Sequence, residues 1–165
     1  RIKMKHKPFT FLKDMNVGGL ESRNHRVGIV IATFNGDISN GLLEGTLKGL
    51  YASNVKKENI AVYTVDGCVE IPIIAQRLAD KKIVDVIICL GSVIKGDTPH
   101  FEYVCQSVTQ GISTVSLTAK IPVIFGVLTT LNYDQALKRA SDDDNNKGYE
   151  AAQTALKTIN LLDQI

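Results

Sequence analysis

Four runs rich in Val and Ile, almost unbroken by polar residues, constrain this chain most: RVGIVIATF (26–34), NIAVYTV (59–65), VDVIICLGSVI (84–94) and IPVIFGVLT (121–129). A strand with one wet face alternates apolar and polar residues. A continuous run needs cover on both faces, which is the situation inside a parallel sheet. Helical spacing fills the gaps. GLLEGTLKGLYAS (41–53) sets Leu42, Leu43, Leu47 and Leu50 on one face. EIPIIAQRLADKK (70–82) gathers Ile73, Ile74 and Leu78, with Pro72 suited to a first turn. HFEYVCQSVTQGISTVSLTA (100–119), NYDQALKRA (132–140) and KGYEAAQTALKTINLLDQI (147–165) complete the order β-α-β-α-β-α-β-α-α. That alternation predicts one domain over 26–165, with right-handed crossovers and helices on both faces of the sheet. Residues 1–25 are expected to form an N-terminal segment, partly ordered or packing on a neighbouring subunit.

At 165 residues the chain can bury a sizeable core in one domain. A net charge of +2 with scattered basic residues offers no nucleic-acid face. The exception is Arg1, Lys3, Lys5 and Lys7 in RIKMKHK, read as a solvated or partly ordered terminus. No apolar run approaches the ~20 residues that span a bilayer. The basic start lacks the adjoining apolar core of a secretory signal. A cytoplasmic location is therefore expected, or an organellar one if a transit peptide was removed ahead of residue 1. Cys68, Cys89 and Cys105 lack metal-ligand spacing and read as free thiols. His6 and His25 stand away from the strand ends, so no metal cluster is expected.

Ligands of open parallel sheets bind outside the carboxyl ends of the strands. The four runs are followed by Phe34-Asn35-Gly36-Asp37, by Asp66-Gly67-Cys68-Val69-Glu70, by GSVIKGDTPH (91–100) and by Thr129-Thr130. Together they could line one cleft with an aromatic face, a carboxylate, backbone N–H donors and an imidazole. In the third segment Pro99 favours the first helical position, which makes Thr98 the N-cap and puts His100 in the first turn. Free N–H groups and the positive dipole end there suit a phosphate, helped by Gly96 and the Thr98 hydroxyl. The same field favours neutral imidazole, a usable proton acceptor. A capped helix start with an exposed histidine accounts for these residues equally well. The other candidates also have ordinary roles: Phe34 as a core aromatic, Glu70 as a first-turn acid, and Lys95, Arg139 and Lys147 as solvated charges. Asp142-Asp143-Asp144 lacks the spacing of a calcium loop and reads as an acidic turn. No P-loop, dinucleotide fingerprint or nucleophile elbow is present.

Taken together, FN (34–35), LLEG (42–45), EIP (70–72), GSVIKGDTPHFEYV (91–104), PVIFGVLTT (122–130) and NKGYEAA (146–152) resemble the 6,7-dimethyl-8-ribityllumazine synthase family, from about Val27 to the end. The resemblance implies a flavodoxin-like three-layer α/β/α sandwich with a central four-stranded parallel sheet. It implies a transferase of riboflavin biosynthesis that condenses 5-amino-6-ribitylaminouracil with 3,4-dihydroxy-2-butanone 4-phosphate. An imine forms, inorganic phosphate leaves and the ring closes, with no metal or organic cofactor. It also implies self-association as pentamers or sixty-subunit icosahedral shells, with active sites between subunits. Riboflavin synthase is then a further partner; nucleic acid and membrane are not.

Carried over by motif, Phe34 stacks on the pyrimidine beside Asn35. Gly67, Cys68, Val69 and Glu70 hold the substrate, with Glu70 on the ribityl hydroxyls, and Ser92, Val93 and Ile94 give main-chain contacts. Gly96, Asp97, Thr98 and Arg139 bind the phosphate, His100 moves protons, Lys147 lines the pocket and Phe125 reaches in from the neighbour. Two stretches depart from the family. Its Pro-Gly-Ala, aromatic, Glu is here Asp66-Gly67-Cys68-Val69-Glu70, which loosens one wall. Its Gly- and Lys-containing turn is here Ser141-Asp142-Asp143-Asp144-Asn145, whose carboxylates would weaken anion binding if turned inward. A flavin or lumazine carrier, or a shell protein without activity, is the alternative on this fold. The retained Thr98, His100, Arg139 and Lys147 argue against it.

Overall fold

The computed structural model describes residues 18–143 and 145–165. Four strands, β1 (Val27–Ala32), β2 (Ile60–Val65), β3 (Val86–Ile94) and β4 (Val123–Thr130), form one sheet in the order β2-β1-β3-β4. All pairs are parallel. Five helices connect and follow them: α1 (Gly36–Ala52), α2 (Ile71–Asp80), α3 (His100–Thr118), α4 (Tyr133–Ala140) and α5 (Lys147–Leu162). On one face Ile29, Val86, Ile88 and Leu90 pack against Leu42 and Leu50 of α1 and Ala152 and Leu156 of α5. On the other, Val30, Ile87 and Cys89 pack against Ala75 and Leu78 of α2 and Val108 and Ile112 of α3. The three-layer α/β/α sandwich is thus present, flavodoxin-like as expected.

The central strands explain the unbroken apolar runs: β1 is buried along its whole length, and β3 until its last two residues. The edge strands β2 and β4 are covered less completely, and Val62 and Phe125 face outward. The order places the topological switch between β1 and β3, because the chain leaves β1 toward β2 and then returns to β1's other side.

Two helix starts differ from the sequence expectation. The first begins at Gly36 rather than 41, since Asn35 takes a left-handed backbone (φ 60°) and its carbonyl accepts from Ile38 and Ser39 N–H. Asn is among the few residues that adopt this conformation readily. The α3 helix begins at His100, and Pro99 already has helical angles (φ −63°) with its carbonyl accepting from Glu102 N–H. Thr98 therefore stands one residue outside the cap position and does not act as the N-cap.

Residues 18–25 run along this chain's own helices. Asn160 Nδ2 donates to the Gly19 and Glu21 carbonyls, Ser22 N–H to the Ser53 carbonyl, and His25 Nε2 lies 2.9 Å from Asp163 Oδ2. His25 is thus used far from the strand ends. The basic stretch RIKMKHK, His6 and any contact of residues 1–17 with a neighbour lie outside the described residues. Among the described residues no helix is long and apolar enough to cross a membrane.

Candidate active site

A cavity of about 410 Å³ opens at the switch point, where β1, β2 and β3 end and α3 begins. Phe34 stands at it with 72% of its surface exposed, so it is not the core aromatic that a strand end usually carries. Asn35 beside it donates from Nδ2 to the Ser92 carbonyl at 3.0 Å. That bond ties the loop after β1 to the end of β3, so the Asn35 amide positions the wall of the cavity. After β2 the chain makes a 3-10 turn over Cys68–Glu70. Glu70 Oε2 accepts from Gly67 N–H at 3.0 Å, and its other oxygen makes no hydrogen bond among the described residues. Val69 lines the cavity with 44% of its surface exposed, where a larger ring would fill more of it.

Cys68 is the floor. Its Sγ fits only because Gly91 carries no side chain, which would run into it. Burial pushes the thiol up to about 11, partly offset by the hydrogen bond from the Ser92 backbone, so it stays protonated at neutral pH. It is a buried apolar filler, not a nucleophile. Ser92 is 2% exposed, and its hydroxyl has no partner among the described residues. Val93, Ile94, Gly96, Thr98 and His100 complete the expected lining; Asp97 lies in the same loop but does not line the cavity. Phe101 and Val104 also line it, though the sequence reading gave them no role in the site. Their i, i+3 spacing, with Val104 four residues after His100, was the available signal.

Phe125, Arg139 and Lys147 are not there. They line a second cavity of about 480 Å³, bounded by β4, α4 and α5, with no lining residue in common with the first. Thr129 and Thr130, expected in one cleft with the other three strand-end loops, line this second cavity instead. The physical reason is that β4 is the edge strand, separated by β3 from β1 and β2 and their loops. Phe125 is 42% exposed on that edge. Arg139 Nη1 donates to the Gln135 carbonyl at 2.9 Å, and Lys147 Nζ pairs with Glu150 Oε2 at 2.6 Å.

Asn146 sets the turn that carries these cations. Its Oδ1 caps α5 by accepting from Gly148 and Tyr149 N–H, and its Nδ2 donates to the Gly41 and Ser141 carbonyls. Gly45 leaves the space that the amide occupies. In this turn Asp142 pairs with Lys48 at 2.8 Å, and Asp143 accepts from Asn145 N–H. Both line a third hollow with Lys48 and Tyr149, so neither carboxylate weakens the Arg139 cavity from inside. Asp144 lies outside the described residues.

A family model described as 6,7-dimethyl-8-ribityllumazine synthase matches residues 24–163, a span that contains both cavities.

Proposed function

The chain belongs to the 6,7-dimethyl-8-ribityllumazine synthase family, and on that premise we propose that its active site is shared between two subunits. The protein is a transferase of riboflavin biosynthesis with small-molecule substrates, and it forms a homo-oligomer. It condenses 5-amino-6-ribitylaminouracil with 3,4-dihydroxy-2-butanone 4-phosphate and releases phosphate. The observation that carries the shared site is the split itself: His100 lines one cavity, while Phe125, Arg139 and Lys147 line the other. Among the described residues no strand pairs with the outer edge of β4, which leaves it open to a second copy.

In this reading the cavity at the switch point of one subunit meets the β4 cavity of its neighbour. Phe34 gives its face to the pyrimidine, and Ser92, Val93 and Ile94 give it backbone contacts. Asn35 with Gly67, Cys68 and Val69 shapes the wall, and the unpaired oxygen of Glu70 takes ribityl hydroxyls. The phosphate sits at Gly96, Asp97 and Thr98, beside the first turn of α3, and meets Arg139 of the neighbouring subunit. Free N–H groups and a guanidinium both suit a dianion. Phe125 and Lys147 of that neighbour close the pocket.

His100 takes and returns protons while the amine adds to the ketone, water leaves to give the imine, and phosphate is eliminated. One positioned acid–base group supplies ~10²–10⁴ in rate. Holding two substrates in reacting geometry supplies effective molarities of about 10⁵ M or more, so positioning is the larger part. The same reading gives assembly as a pentamer or a sixty-subunit icosahedral shell, riboflavin synthase as a partner and a cytoplasmic or organellar location. It also takes residues 26–165 as the single synthase domain behind the segment 1–25.

Lumazine formation from both substrates, followed by absorbance above the spontaneous background, tests the activity. Mixed assembly tests the shared site. His100→Ala slows turnover and Arg139→Ala raises KM for the phosphate substrate, so each is impaired alone. Reassembled together in equal amounts, one interface in about four joins two intact halves, because each subunit offers a different patch to each neighbour. Activity should recover to about a quarter of wild type. No recovery in verified mixed oligomers refutes a site built from two chains.

A further inference from the structure

We propose that Lys95 and Glu102 form a clasp that holds the loop between β3 and α3 in its phosphate-binding shape, each acting as a positioning residue for the condensation. The proposal rests on the reading that this loop takes the substrate phosphate. Its four residues, Gly96 to Pro99, are all exposed. Among the described residues the side chains of Asp97 and Thr98 make no hydrogen bond or ion pair, and Gly96 faces open space. No side-chain bond inside the loop sets its form; the Pro99 ring and the anchors at its ends do.

One end is fixed where Lys95 N–H donates to the carbonyl of Thr130, the last residue of β4, at 2.9 Å. The other is fixed where Glu102 N–H donates to the Pro99 carbonyl at 3.1 Å, in the first turn of α3. The side chains join these anchors: Lys95 Nζ lies 3.2 Å from Glu102 Oε1. Glu102's own N–H, and then Lys95, hold its carboxyl below the usual carboxylate range. Gly96, Thr98 and His100 sit between the anchors and line the cavity. A loop closed at both ends has less freedom to lose when a phosphate orders it, and that saving appears as affinity.

The clasp and a simple charge effect predict opposite signs at one position. Glu102 is an anion close to an anion site. If only its charge mattered, Glu102→Gln would tighten phosphate binding. If the clasp matters, Glu102→Gln weakens it, as Lys95→Met does. The measurements are KM for the phosphate substrate, KM for the pyrimidine and kcat, with inorganic phosphate binding followed by calorimetry on the intact oligomer. Each single variant should weaken phosphate about two- to fivefold, the ratio an exposed ion pair supplies. The loss should appear in KM for the phosphate substrate rather than in kcat. The double variant should be no worse than the poorer single, and Lys95→Arg should bind like wild type.

Unchanged or tighter phosphate binding in Glu102→Gln overturns the clasp, as do losses that add in the double variant. A wild type that binds no phosphate also overturns it. A wild type that binds phosphate with the predicted variant pattern but turns over no substrate supports the clasp and refutes the catalytic reading.

Discussion

Replacing Asn146 by alanine should destabilise the protein more than any other single substitution of a buried polar side chain. The residue is 4% exposed and uses its whole amide. Oδ1 accepts at 2.8 and 3.1 Å from the first N–H groups of α5, while Nδ2 donates at 3.0 Å to Gly41 of α1 and at 3.0 Å to Ser141. Loss of an Asn cap costs ~1 kcal/mol. The two donor bonds contribute about 1 kcal/mol each, and more if the orphaned carbonyls stay dry. The sum is about 3 kcal/mol, which in a domain of this length lowers Tm by roughly 6–12 °C.

Thermal and urea unfolding at matched protein concentration would read it, since assembly itself adds stability. Asn146→Asp keeps the cap but points a carboxylate at two carbonyls, so it should recover only part of the loss. Arg139 and Lys147 flank the same turn, so KM for the phosphate substrate should rise in Asn146→Ala. A loss under about 1 kcal/mol would refute the bond-by-bond reasoning. So would an Asn146→Asp variant as stable as wild type, because the Nδ2 bonds would then contribute nothing.

Two further outcomes follow from charged and titrating groups. Hydrogen bonds from the Arg26 side chain and backbone hold the Asp85 carboxyl below its usual range. A depressed folded value stabilises above the unfolded value of about 3.9 and is lost as pH falls through the folded one. Asp85→Asn should thus cost up to about 1 kcal/mol at pH 7, limited by solvent screening of a partly exposed pair. The gap to wild type should narrow below about pH 4, and a gap unchanged down to pH 2 would contradict the linkage. For the thiols, burial pushes Cys68 up to about 11 and Cys89 up to about 12. Alkylation of Cys68 in the native protein should still accelerate close to tenfold per unit between pH 8 and 10, with Cys89 labelled only on unfolding. A Cys68 rate that levels off near pH 9 would show that the thiol is not buried as described.

Most of the architecture is legible in the apolar runs, because β1 and β3 are buried on both faces and carry hardly a polar residue. Strand order is not legible in the same way. A right-handed crossover leaves β1 equally well toward either side, so nothing local says that β4 becomes an edge. That single unknown hid the placing of Thr129 and Thr130 in a cavity apart from the other strand ends. The loop residues from Phe34 to His100 were legible because strand ends of parallel sheets are where ligands bind. The early start of α1 was not, since it depends on Asn35 adopting a left-handed backbone while its side chain reaches Ser92 in β3. The direction of Asp142 was hidden for a similar reason: its partner, Lys48, lies on α1, far away in the chain.

The two cavities of one chain share no lining residue, and this limits how copies can meet. In the proposed shared site the histidine-bearing half of one copy must face the arginine-bearing half of another. A two-fold contact can pair the halves reciprocally, and a head-to-tail contact pairs them in series, either closing on itself or running on without end. A closed ring then carries as many sites as subunits, with no half left over. In the proposed reading, a chain diluted until it stands alone keeps every residue of the reaction and completes no site, so turnover should vanish on dilution well before the fold melts.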